Sequence, residues 1–158
     1  MYVLSSSMLN QMDGERLSTK ETEVRVQCHG GCTIRCLYSH LPKVISSKPD
    51  LILLHIGSND CGSKTSDEVL RELDTLLDHL KILLPKTTVI LSLPLVRNDN
   101  STAAAIQKNL NAKMRKLPYT ILENFNISYD HLGKKGLHLN DHGIKLMARN
   151  IISLVKRL

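Results

Sequence analysis

Apolar and polar positions follow two rhythms along the chain. Short runs rich in aliphatic and β-branched residues, at 2–4, 23–27, 51–56, 88–93 and 119–122, read as strands. The third and fourth, LILLHI and TVILSL, are apolar almost throughout. That is the pattern of strands covered on both faces of a parallel sheet. Between the strands, apolar residues recur three or four apart. The clearest case is 66–84, where Val69, Leu73, Leu76, Leu77, Leu80 and Leu84 form one stripe. Thr65 and Glu68 have the spacing of a capping box and Pro85 stops the helix. A second helix is predicted over 33–47, kinked or broken by Pro42. Asn100 or Ser101 opens a third that runs through Leu110 and Met114. A last one over 143–158 carries Ile144, Met147, Ile151, Leu154 and Val155 on one face. Strand and helix alternate without repeat or linker. This predicts one α/β domain over 1–158, a three-layer α/β/α sandwich around a mainly parallel five-stranded sheet.

Composition narrows the function classes. Four cysteines in 158 residues make neither a disulfide framework nor paired CxxC zinc ligands, which points to a reducing compartment. Cys28, Cys32 and Cys36 fall four apart, with His29 beside them. They read as small buried residues near a helix start rather than as a metal site. No apolar run has the length of a membrane span, and the first residues lack the form of a secretory leader. The expectation is a soluble, cytoplasmic protein. The charge of +6 favours polyanions, but apart from KMRK at 113–116 the basic residues are scattered. One Phe and no Trp leave little surface on which bases could stack, so nucleic-acid contact is a weak, secondary expectation. Neither GxxxxGK[ST] nor GxGxxG is present, which disfavours a nucleotide binder.

Open parallel sheets bind ligands beyond the carboxyl ends of their strands. Ser5–Ser7 follow the first strand, CHGGC (28–32) the second and GSND (57–60) the third, so all three gather on one edge. Ester hydrolysis by serine requires a hydroxyl, an imidazole to take its proton and donors aimed at the developing oxyanion. Ser7, at a strand-to-helix turn, is the candidate nucleophile, and its own N–H a candidate donor. Gly31, or equally Gly30, offers an unobstructed backbone N–H, and Asn59 a side-chain amide. His138, in GLHLNDHG before the last helix, is the candidate base. Asp60 reads as a structural residue that fixes its loop, and His55 as a hydrogen-bonded core histidine. His29, His40, His79, His131 and His142 read as surface residues.

Together these blocks resemble the SGNH (GDSL-like) hydrolases over essentially the whole chain. LILLHIGSND is similar to the family strand ending in Gly-x-Asn-Asp, GLHLNDHG to its histidine block, HGGCTI to its glycine block, and VLSSSML to the block that usually reads Gly-Asp-Ser. The run from HGGC to GLHLN is especially similar to esterase-like domains of animal non-LTR retrotransposons. The resemblance implies the flavodoxin-like SGNH fold. It also implies a Ser7–His138 pair, and an oxyanion hole from Ser7, Gly31 and Asn59. Implied substrates are small acyl or acetyl esters of a lipid or carbohydrate, with no cofactor. Two departures stand out. Ser5 and Ser6 replace the usual Gly-Asp, and Lys135 replaces the Asp three residues before the histidine. Asp130, Asp141 or a backbone carbonyl is then left to orient His138. The alternative implied by these departures is a catalytically silent binding module of a retroelement protein, contacting nucleic acid, membrane or another chain.

Overall fold

Five parallel strands in the order β2-β1-β3-β4-β5 form the middle layer: β1 (Tyr2–Ser6), β2 (Arg25–His29), β3 (Leu51–His55), β4 (Thr88–Ser92) and β5 (Thr120–Leu122). The computed structural model describes residues 1–158. Every neighbouring pair of strands is parallel, so every connection crosses over the sheet. The helices are α1 (Gly14–Leu17), α2 (Ile34–Leu37), α3 (Leu41–Ser47), α4 (Ser66–Leu83), α5 (Ser101–Met114) and α6 (Asp141–Val155). Alternation along the strands sorts them into two layers. Leu4, Ile52, Leu54 and Leu91 pack with α2, α3, α4 and α5. Val3, Leu53, Ile90 and Leu122 point the other way and pack with α1 and α6. This is the three-layer sandwich that the sequence rhythm predicts. No helix is long and apolar enough to cross a membrane.

Local chemistry sets the ends of the elements. The Thr65–Glu68 capping box forms in full at the start of α4. Asn100 caps α5 by accepting from Ala103 N at 2.9 Å, and Asn140 caps α6 through Gly143 N at 2.9 Å. Pro42 lies in the first turn of α3, where a missing N–H costs nothing. The segment 33–47 is therefore two helices joined by a 3-10 turn (Tyr38–His40), not one kinked helix. The four-residue α1, capped by Asp13, is too short to leave a periodic signal. A further difference concerns the serines. Ser5 and Ser6 belong to β1, fully and almost fully buried, and pair in register with Cys28 and His29, which belong to β2. Only Ser7 lies beyond the strand.

A polar row crosses the sheet at this level. Ser5 is in register with both Cys28 and His55, and His55 Nδ1 lies 2.9 Å from Ser92 Oγ. Asn124 donates to the same hydroxyl at 3.2 Å. His55 is the hydrogen-bonded core histidine that the sequence suggests. Complete burial pushes its pKa down from 6.5 to about 4, because desolvation penalises the imidazolium. The unfolded chain thus binds a proton that the folded protein refuses. Stability is fully present above about pH 6.5 and falls as the pH drops towards 4, by on the order of 3 kcal/mol from this group. Urea unfolding at pH 7 and pH 4.5 is expected to show that loss in the wild type. His55→Gln should remove most of it, with His29, also shifted down by burial, supplying a smaller remainder of the same sign.

Candidate active site

Ser7 is the first residue after β1 and opens a 3-10 turn, Ser7–Leu9. Met8 and Leu9 are buried, which forces the chain to turn there and leaves Ser7 partly exposed at the carboxyl edge. His138 comes from the far end of the sequence, in the loop before α6. That loop is fastened at several points. Leu132 and Leu139 form an antiparallel bridge, Gly133 N donates to His138 O at 2.7 Å, and the Asn140 amide reaches Asp130 O at 2.9 Å. The result brings His138 Nε2 to 2.9 Å from Ser7 Oγ across 131 residues of sequence. With Nε2 accepting the serine proton, Nδ1 must carry the other hydrogen. That nitrogen has no hydrogen-bond partner: neither Asp130, Asp141 nor a backbone carbonyl reaches it, although both carboxylates border the same groove. Lys135 is exposed and forms no ion pair.

The second and third loops meet at one edge. Gly31 adopts φ +68°, a left-handed conformation that glycine takes without strain, and its N–H makes no internal hydrogen bond. Asn59 Nδ2 donates to Cys32 O at 2.9 Å, the carbonyl next to Gly31. This uses one amide hydrogen and leaves the other free. Asp60 is fully buried. Its carboxylate accepts from Ile34 N at 3.1 Å and from Lys64 Nζ at 3.0 Å. It therefore ties the β3 loop to the start of α2. Lys64 also reaches Glu72 Oε2 at 2.5 Å, and that bond first, then Asp60, holds its ammonium above the usual lysine range.

Arg97 is not among the residues that the sequence singles out, which lie after β1, β2 and β3 and before the last helix. Arg97 is only 8% exposed. It donates to Ser58 O at 2.8 Å and to both oxygens of Asp99, at 2.8 and 2.6 Å. The guanidinium in turn holds the Asp99 carboxyl below its ordinary range. Ser58 Oγ donates to Gln107 Oε1 at 2.9 Å, and the Gln107 amide donates to Leu95 O. The GSND loop is thus clamped from the β4 side as well. The same β4–α5 loop supports His138: Asn98 N donates to Gly136 O at 2.7 Å, and Gly136 has φ +66°. A Cβ on Gly136 would lie 3.1 Å from the Asn98 carbonyl carbon. Gly136→Ala is expected to cost about 1–2 kcal/mol from backbone strain alone. It should also lower turnover several-fold by displacing His138. Urea titration and initial rates measure the two effects separately.

The whole chain superposes on solved hydrolase structures. A member of the lipolytic G-D-S-L family from Veillonella parvula matches with TM-score 0.79 at 16% identity, over 99% of this chain and 98% of that one. The fold is that of the GDSL hydrolases. The acetyl xylan esterase AlAXEase matches with TM-score 0.78 at 20% identity, over 98% of this chain and 100% of that one. A carbohydrate esterase family 3 protein from Talaromyces cellulolyticus matches with TM-score 0.76 at 16% identity, over 99% and 98%. By sequence, no family model and no curated protein matches the chain.

Proposed function

We propose that the protein is a serine ester hydrolase that uses Ser7 as nucleophile and His138 as general base. The 2.9 Å approach of His138 Nε2 to Ser7 Oγ carries the reading. In the first half-reaction Ser7 Oγ attacks the acyl carbon while His138 takes its proton. The negative oxygen is held by the N–H groups of Ser7 and Gly31 and by the free Asn59 amide hydrogen. Each such donor in related chemistry is worth about a hundred- to a thousandfold in rate. The imidazolium then protonates the leaving alcohol, and the acyl group remains on Ser7. Water, deprotonated by the same nitrogen, releases the acid. Asp60 and Arg97 act as positioning residues, holding the two donor loops together.

The groove beside His138 suits a polar alcohol. It is lined by Gln11, Asp130, Lys134, Asp141 and His142, with Leu139 its one apolar residue. Polar walls suit the hydroxyl-rich alcohol of a carbohydrate, and the acetyl and carbohydrate esterases among the structural neighbours favour an acetyl group, so the proposed substrate class is acetyl esters, of carbohydrates before lipids. The acetyl xylan esterase among the structural neighbours is consistent with that choice. The test is a rate series on acetylated xylo-oligosaccharides and on p-nitrophenyl acetate, butyrate and octanoate. Acetyl esters are expected to be hydrolysed fastest, with loss of rate in His138→Ala. Turnover of none of them above buffer would overturn the reading.

The unpartnered Nδ1 of His138 and the exposed Lys134 and Lys135 favour one second reading: a silent domain that contacts polyanions. The sequence resemblance to retrotransposon esterase-like domains belongs with it. Its signature is RNA or DNA retention that weakens steeply with salt, in the absence of ester turnover.

A further inference from the structure

We propose that Cys32, Cys36 and His40 form a binding site for a thiophilic divalent cation, zinc foremost, on the segment that follows β2. The ligand atoms of these three side chains, two sulfurs and an imidazole nitrogen, lie within 4.8 Å of one another, and Cys36 Sγ is 4.0 Å from His40 Nε2. Tetrahedral zinc, with bonds of about 2.3 Å to sulfur and 2.0–2.1 Å to nitrogen, sets its ligands roughly 3.5–3.8 Å apart. The cluster closes on an ion by side-chain movements of about an ångström, with no change of backbone.

Local structure assembles the three. The Cys32 carbonyl is held by Asn59 at 2.9 Å. Thr33 caps α2 by accepting from Cys36 N at 3.2 Å, which brings Cys36 one turn above Cys32. The 3-10 turn Tyr38–His40 carries His40 onto the same side. The His40 ring is then fixed by stacking on His29, with centroids 3.4 Å apart and planes within 9°. Because the rings lie in parallel planes, an ion in the plane of His40 is out of line with the His29 lone pair. His29 is thus the packing partner, and the fourth position falls to water. A second observation points to the same place: His29 Nε2 is buried with no hydrogen-bond partner, a demand that water on the ion would meet.

The chemistry balances without a redox step. Each thiol releases its proton to solvent as its S–H bond is replaced by a sulfur–metal bond, and His40 binds as neutral imidazole. Two thiolates and one imidazole neutralise a divalent cation, which suits a half-buried site. Cys28, despite its equal spacing in sequence, lies in β2 and is not one of the clustered ligands. The site adjoins the region of the candidate donor Gly31, the residue before Cys32, while His29 pairs in register with Ser6. An ion here would stiffen the Gly31 loop.

The test needs no catalytic readout, so its failure is distinguishable from failure of the ester hydrolase reading. The reduced protein, residues 1–158, is titrated anaerobically with Co²⁺ and then with Zn²⁺. One equivalent of Co²⁺ is expected to give a thiolate-to-metal charge-transfer band and the visible bands of a tetrahedral ion, both removed by Zn²⁺. Cys36→Ser and His40→Gln, at surface and partly exposed positions, should each weaken binding more than about tenfold. Cys28→Ser should bind as the wild type does. Absence of the charge-transfer band in the wild type, or unchanged affinity in both ligand variants, would overturn the site.

Discussion

Ser7→Ala is expected to lower kcat for acetyl ester hydrolysis about a hundredfold, with little change in KM. The magnitude follows from what this site has and lacks. In subtilisin, loss of the nucleophile or of the whole triad costs about two million-fold, while loss of the carboxylate alone costs about thirty thousand-fold. Their ratio, roughly a hundred, is what a serine–histidine pair adds when no carboxylate supports it. His138→Ala should cost about the same as Ser7→Ala. The double variant should be no slower than either alone, because the two residues act as one unit. Steady-state kinetics on p-nitrophenyl acetate for the three variants test this. Additive losses would mean that the two side chains serve separate roles.

Lys135→Asp is expected to raise kcat. In serine proteases, replacing the orienting carboxylate by its amide lowers kcat about ten-thousandfold, so restoring an acceptor for the His138 Nδ1–H has a large ceiling. Lys135 and His138 border the same groove. The substitution also replaces a positive charge on that groove by a negative one, which favours the imidazolium formed during the reaction. A rise of at least about tenfold is expected, limited by how closely the new carboxylate reaches Nδ1. Lys135→Asn should give a smaller rise, since an amide oxygen can accept the Nδ1–H but carries no full negative charge. Equal rates in Lys135→Asp and the wild type, with identical pH profiles, would show that position 135 does not act on His138.

The parts of the fold legible in sequence are those where burial dictates residue type. β3 and β4 lie between apolar helices on both faces, so LILLHI and TVILSL announced them within a residue of Leu51–His55 and Thr88–Ser92. The serine triplet misled because ladder hydrogen bonds run through the backbone: Ser5 and Ser6 pair as strand residues whatever their side chains offer. Pro42 was readable as a breaker, but its tolerance in a first helical turn makes it a start rather than a kink. The site follows the same division. Ser7, Gly31, Asn59 and His138 stand at strand ends or before a helix, where spacing alone assigns them to one edge. Their supports, the Asp60 contact with Ile34 N and the Arg97 contact with Ser58 O, span 26 and 39 residues. No local pattern encodes them. Spacing also grouped Cys28 with Cys32 and Cys36, whereas the fold puts Cys28 in a strand and brings in His40 through a turn.

The proposed catalysis requires an activated hydroxyl at position 7. Incubation with a fluorophosphonate, followed by intact mass and peptide mapping, measures it directly. One adduct on Ser7 in the wild type, absent from Ser7→Ala and strongly slowed in His138→Ala, is the predicted result. An unmodified wild type, or an adduct on any other residue, would contradict it.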